Sequence, residues 1–181
     1  MSVLHLVGIE PIEGGILEQL RAGLTAAFQR RCEILPMLLD SACAFHAERQ
    51  QYHSAELLQK LQPLAAAQTW RVLGVTERDL YIPILTFVFG EAQLDGRCAV
   101  VSIHRLRQEF YGLPADPLLL RERLLKEAVH ELGHTLGLRH CESYRCAMSA
   151  SHSVEWIDLK DPAFCATCFA QAGVRLLKGT W

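Results

Sequence analysis

His130 and His134 stand four residues apart, with Glu131 beside the first and His140 six residues beyond the second. Neutral imidazole is a zinc ligand, and three such rings around an open fourth position form a catalytic zinc arrangement. Residues four apart share a helix face, so His130 and His134 would offer both rings to one ion. Each lies about 160° round the helix from Leu132, which turns the rings away from the apolar stripe. His140 would fall about 120° off that side if the helix ran on. Gly137 removes the difficulty, because glycine accepts the left-handed conformation that ends helices and lets the chain return toward the first two rings. Glu131 would project next to the His130 ring, close to the metal but not a ligand. A carboxylate there takes a proton from metal-activated water and passes it to the leaving amine. Five fixed residues in this pattern recur by chance on the order of 10⁻⁶ to 10⁻⁷ per starting position, so two ordinary helical histidines are a poor account of it.

A second set of ligands follows at once. Cys141 and Cys146 form a Cys-x4-Cys pair, and Cys165 and Cys168 a Cys-x2-Cys pair. Both spacings suit a tetrahedral four-thiolate structural zinc, and the same sulfurs also suit iron. Disulfides or inert buried thiols are the alternatives; the N-terminal stretch has no secretory signal, which argues against disulfides. His140 and Cys141 are consecutive, so the two sites cannot form independently. The structural metal would tether both the third imidazole and the turn carrying Met148, whose thioether can floor a catalytic site without ligating it.

The whole string is His-Glu-x-x-His-x-x-Gly-x-x-His-Cys, four residues, Cys-x-Met, a spacer and Cys-x-x-Cys. It resembles the archaemetzincin family of zinc metallopeptidases. The resemblance implies an α/β metzincin fold: a twisted mixed sheet, a backing helix, an active-site helix and a small C-terminal subdomain ending in a helix. It implies catalytic zinc on His130, His134 and His140, Glu131 as general base, a Met-turn at Met148, and structural zinc on Cys141, Cys146, Cys165 and Cys168. That makes two zinc ions per chain.

The elements that must position these groups can be read from periodicity. Asp116-Pro117 opens a helix, Asp as cap and Pro at the first helical position. Leu118, Leu125, Val129, Leu132 and Leu136 mark its buried stripe. Residues 3–9, 33–39, 70–76, 84–89 and 97–105 read as strands. Ile16, Leu20, Leu24, Ala27 and Phe28 mark one amphipathic helix. A second follows Ser54, read as its cap, and Pro63 kinks it or ends it early. Residues 41–52 read as loop, and Cys32 and Cys43 as small apolar packing residues. Asp161-Pro162 reads as the start of a last helix bearing Cys165 and Cys168, and residues 179–181 as a terminus that Trp181 could order. Strands alternating with helices indicate an α/β sheet.

In metzincin-like folds the strand before the active-site helix is the sheet edge beside the cleft. Val100, Val101, Ser102 and Ile103 are therefore the expected substrate-binding residues, pairing with an extended peptide by strand addition. His152 and Trp156 are further candidates for the pocket wall. His46, His53 and His104 read as solvated histidines, and Phe110 and Tyr111 as a cleft cover or as packing.

At 181 residues the chain fits one catalytic domain, 1–181, with subdomains 1–137 and 138–181 on either side of a cleft. A net charge of −2 argues against a nucleic-acid partner. No apolar run is long enough to span a bilayer. The expected protein is cytoplasmic, monomeric and made without a pro-segment. The leading function is hydrolysis of peptide bonds, aminopeptidase-like, in short peptides. The alternatives are a peptide-binding module that keeps only the structural zinc, and a zinc-ribbon interaction module.

Overall fold

Alternating apolar residues decide which side of each strand is covered. The computed structural model describes residues 2–177, so the 179–181 tail with Trp181 lies outside the described residues. In chain order the first elements are β1 (Val3–Ile9), α1 (Gly14–Phe28), β2 (Cys32–Leu39), β3 (Phe45–His46), β4 (Gln51–His53) and α2 (Ser54–Leu61). Then come β5 (Thr69–Thr76), β6 (Leu80–Tyr81), β7 (Gly90–Ala92), β8 (Cys98–Ser102), α3 (Pro117–Thr135), α4 (Val154–Leu159) and α5 (Ala166–Leu177).

The main sheet has the order β2-β1-β5-β8-β7. Its first four strands are parallel, and β7 runs antiparallel to β8. Leu6 of β1, Leu73 and Val75 of β5 and Val101 of β8 pack in one core with α1 and α3. The intervening Val7, Ile9, Val72 and Val100 pack with Leu57, Leu58 and Leu61 of α2. The sheet is thus covered on both faces, as parallel strands require. Each of these side chains stabilises the fold by about 1.5–3 kcal/mol on burial. A small second sheet, β3-β4-β6, lies apart from the main one.

The expected edge strand is not the edge. β8 lies between β5 and β7, and Val100, Val101, Ser102 and Ile103 are all buried. Val100, Val101 and Ser102 pair with β5; Val101 and Ile103 pack in the core on the α3 face, Val100 packs with α2, and Ser102 Oγ donates to Arg78 O, so this buried strand is not open to a peptide. The edge on this side is β7, a three-residue strand that falls between the stretches 84–89 and 97–105 read as strands. Its Gly-Glu-Ala sequence has no apolar alternation to betray it. The 84–89 stretch, read as a strand from its apolar residues, is irregular, and Ile84 is 86% exposed.

Smaller departures have local causes. Ser54 is the first residue of α2, not its cap; its hydroxyl instead meets Tyr81 O and Glu91 at 3.0 and 2.5 Å. Pro63 does end α2, which passes into a 3-10 turn at Gln62–Leu64. Residues 41–52 contain β3 and part of β4. Cys43 is exposed, unlike Cys32. α5 starts only after Cys165, and Asp161 instead pairs with Arg145.

Candidate metal centres

The active-site helix α3 is defined at both ends by its sequence. Asp116 Oδ1 accepts from the backbone N–H groups of Leu118 and Leu119 at 3.1 and 3.0 Å. At the other end Gly137 takes φ +83°, and its N–H reaches His134 O while that of Leu138 reaches Gly133 O. This is the Schellman pattern that closes helices. The chain then doubles back, and His140 returns to the two helical rings. The His134–His140 and His130–His140 centroids are 5.1 and 5.3 Å apart.

The three rings converge on a common point. Their ligand nitrogens all lie within 4.8 Å of one another. His130 Nδ1 donates to Ala147 O and His134 Nδ1 to Leu138 O, each at 2.8 Å. A carbonyl only accepts, so each Nδ1 carries the proton and each Nε2 presents its lone pair. The two Nε2 atoms face each other at 3.1 Å. Tetrahedral zinc with bonds of about 2.0–2.1 Å sets nitrogens about 3.3–3.4 Å apart, so the donor set fits. Burial lowers the pKa of all three rings, which keeps them neutral and ligand-ready.

Glu131 is buried on the same helix, against Gly90 of β7. A Cβ at Gly90 would come within 2.8 Å of Glu131 Oε1 and 2.6 Å of Val100 O. Only glycine lets the edge strand approach the carboxylate so closely. Burial, and then the neighbouring Glu127, pushes the Glu131 carboxyl well above its ordinary pKa.

The four cysteines form the second group. Their sulfurs also lie within 4.8 Å of one another, and none is in a disulfide. The Cys141–Cys165 sulfur separation is 3.8 Å, and tetrahedral zinc with bonds of about 2.3 Å requires about 3.8 Å. Cys146 Sγ accepts from the Met148 and Cys165 amides. Hydrogen bonding, first from the Cys168 amide, brings the Cys165 thiol down to about 7, while burial raises that of Cys168.

Met148 links the two groups. It is fully buried, and its Sδ occupies the space a Cβ at Gly133 would need. Its carbonyl accepts from the Cys141 amide at 2.9 Å. The preceding Ala147 carbonyl orients His130.

The His cluster opens into a cleft of about 760 Å³. One rim is the segment 85–92, the floor is α3, and the far wall is the 150–152 segment. His152 lines it as expected; Trp156 lies on α4, outside the lining. His46 and His53 pack on Tyr81, and His104 on Phe110, so none joins a ligand group among the described residues. Glu127 and Lys160 were not singled out from the sequence. Glu127 stands one turn before Glu131 on the same face, a readable signal; nothing in the sequence shows that Lys160 meets it.

An α/β fold with a capped active-site helix, three convergent imidazoles and a buried carboxylate defines a zinc metallopeptidase, a hydrolase. The chain belongs to Peptidase family M54, whose profile matches residues 16–173. It is 43% identical over 171 residues to an archaemetzincin of Methanocaldococcus jannaschii, with 93% of each chain covered. The crystal structure of the Archaeoglobus fulgidus archaemetzincin superposes with a TM-score of 0.82 at 37% identity, covering 94% of this chain and 99% of that one. A zinc-dependent peptidase from Methanocorpusculum labreanum gives a TM-score of 0.85 at 30% identity, covering 93% and 99%.

Proposed function

We propose that the protein hydrolyses peptide bonds in short peptides, aminopeptidase-like, with Glu131 as general base. The observation that carries this reading is the convergence of three imidazole lone pairs beside a buried carboxylate in one open cleft. His130, His134 and His140 would hold the catalytic zinc, and Cys141, Cys146, Cys165 and Cys168 a structural zinc. Zinc, when bound, would supply Lewis acidity toward the scissile carbonyl and toward water. Glu131 would accept the proton that water loses on attack and return it to the departing amine nitrogen.

The edge strand β7 would seat the extended peptide, the role first expected of β8. Its outer side bears no other strand of the main sheet, and strand addition would align the scissile bond across the cleft. Gly137 would mark the boundary between the 1–137 and 138–181 subdomains. The reading also places the protein in the cytoplasm as a monomer acting on peptides alone; its small net charge supports the lack of a nucleic-acid partner.

A peptide-library digest with zinc-loaded protein tests this. Cleavage is expected, and Glu131→Gln should keep its zinc and lose turnover by about 10²–10⁴-fold. Peptide binding without cleavage by the wild type would favour the binding-module reading. Metal analysis should give two zinc ions per chain.

A further inference from the structure

Arg139 brings to the cleft a charge that bond hydrolysis does not use. Its backbone is held by the turn that carries the ligands. Leu138 N–H donates to Gly133 O at 3.1 Å, Leu138 O accepts from His134 Nδ1 at 2.8 Å, and Cys141 N–H donates to Met148 O at 2.9 Å. Arg139 sits between these anchors and directly before His140, so the two Cα atoms are about 3.8 Å apart. The residue is exposed and lines the cleft.

The guanidinium is unpaired. Among the described residues it makes no hydrogen bond, ion pair or ring contact. Other arginines of the chain find acceptors. Arg49 donates to Leu85 O and Thr86 O, and Arg105, Arg107 and Arg123 pair with Asp79, Glu77 and Asp158. The acidic residues of the cleft lining are engaged elsewhere: Glu127 pairs with Lys160, Glu91 accepts from Ser54, and Glu131 is buried against Gly90. Arg139 is therefore the one described lining residue with a permanent positive charge, and it has no anion. Water ordinarily serves an exposed guanidinium; here a fixed backbone keeps the fork beside the reacting centre, where substrate displaces that water. The group such a fork matches, with two parallel hydrogen bonds, is a carboxylate.

We propose that Arg139 determines specificity by binding a carboxylate of the substrate within one or two residues of the scissile bond. That carboxylate has two sources, the C-terminus of a short peptide and the side chain of Asp or Glu. One or two residues of extended chain span about 3.3–7 Å, a distance that the long arginine side chain covers from a Cα adjoining His140. A neutral group at this place leaves the fork without its partner, and a Lys or Arg side chain is repelled. Where the C-terminus is the group bound, the same contact confines hydrolysis to short peptides, because only they bring a free carboxylate so near the bond.

This inference rests on the peptidase reading, and the test separates the two. Two peptide sets would be digested by zinc-loaded enzyme: tripeptides with a free or an amidated C-terminus, and amidated hexapeptides with Glu or Gln at each position flanking the scissile bond. In at least one set kcat/KM for the carboxylate member should exceed that of its uncharged match by about tenfold or more. A preference among the tripeptides assigns the site to the C-terminus, and one among the hexapeptides to an acidic side chain. Arg139→Gln should bring that ratio close to one, and Arg139→Lys should keep part of it. Zinc content and a melting curve confirm that each variant is folded. The same peptides bound to the Glu131→Gln form, with and without Arg139→Gln, give the preference as a Kd ratio without turnover. Carboxylate-selective binding that depends on Arg139, with no cleavage by the wild type, would defeat the hydrolytic reading and keep this one. Ratios near one in both wild-type sets, or a preference that Arg139→Gln leaves unchanged, would overturn it.

Discussion

Single residues in this protein carry loads that their neighbours set. Lys160 is buried beside Glu127 with no water-facing surface. Lys160→Met should leave an uncompensated buried carboxylate and lower stability by about 3–5 kcal/mol. Adding Glu127→Leu should restore most of the loss, which chemical denaturation of both variants would read. Asp79 illustrates a charge held the other way. Burial opposes its ionisation, but hydrogen bonds from Arg105 and Gln51 outweigh it and hold the carboxyl below its ordinary range. Its folded pKa is thus below the unfolded value of about 3.9. The stability it contributes is complete above that value and is lost as pH falls through the folded pKa. Melting curves from about pH 5 down to pH 2 should show this acid slope flattened in Asp79→Asn.

At the scale of elements, the end of α3 matters more than its middle. Gly137 stands at φ +83°, where any other L-residue costs about 1–2 kcal/mol. Gly137→Ala should lower stability by about that amount and weaken metal binding at the His cluster more than at the Cys cluster. Zinc titration of both sites would check the difference. The helix itself was legible in the sequence, because Asp116, Pro117, the apolar stripe and Gly137 are local signals that act over one or two turns. The edge strand was not. β7 is three residues long and draws its order from pairing with β8 and from packing Gly90 against Glu131. Both are distant in sequence, and neither leaves a periodic trace. Residues 84–89 failed in the opposite sense: an apolar run suggested a strand, yet it forms the cleft rim.

Across the whole molecule the two ligand groups behave as one assembly. Cys141 adjoins His140, its amide binds Met148 O, and Ala147 O orients His130. Removing one thiolate should therefore loosen both sites. Cys168→Ser is expected to reduce zinc content toward zero, not from two ions to one, as metal analysis by mass spectrometry would show. Loss of a single ion would mean the sites are independent.

The amino-acid sequence alone picked out the three histidines and four cysteines that the fold gathers into two groups, the helix that presents His130 and His134, and the family, because metal coordination demands particular side chains at particular local spacings. Only the tertiary structure decided which strand borders the cleft and which groups lie at its end. Strand order and the meeting of Glu127 with Lys160 depend on contacts between segments far apart in the chain, and such contacts are selected by packing of the whole core.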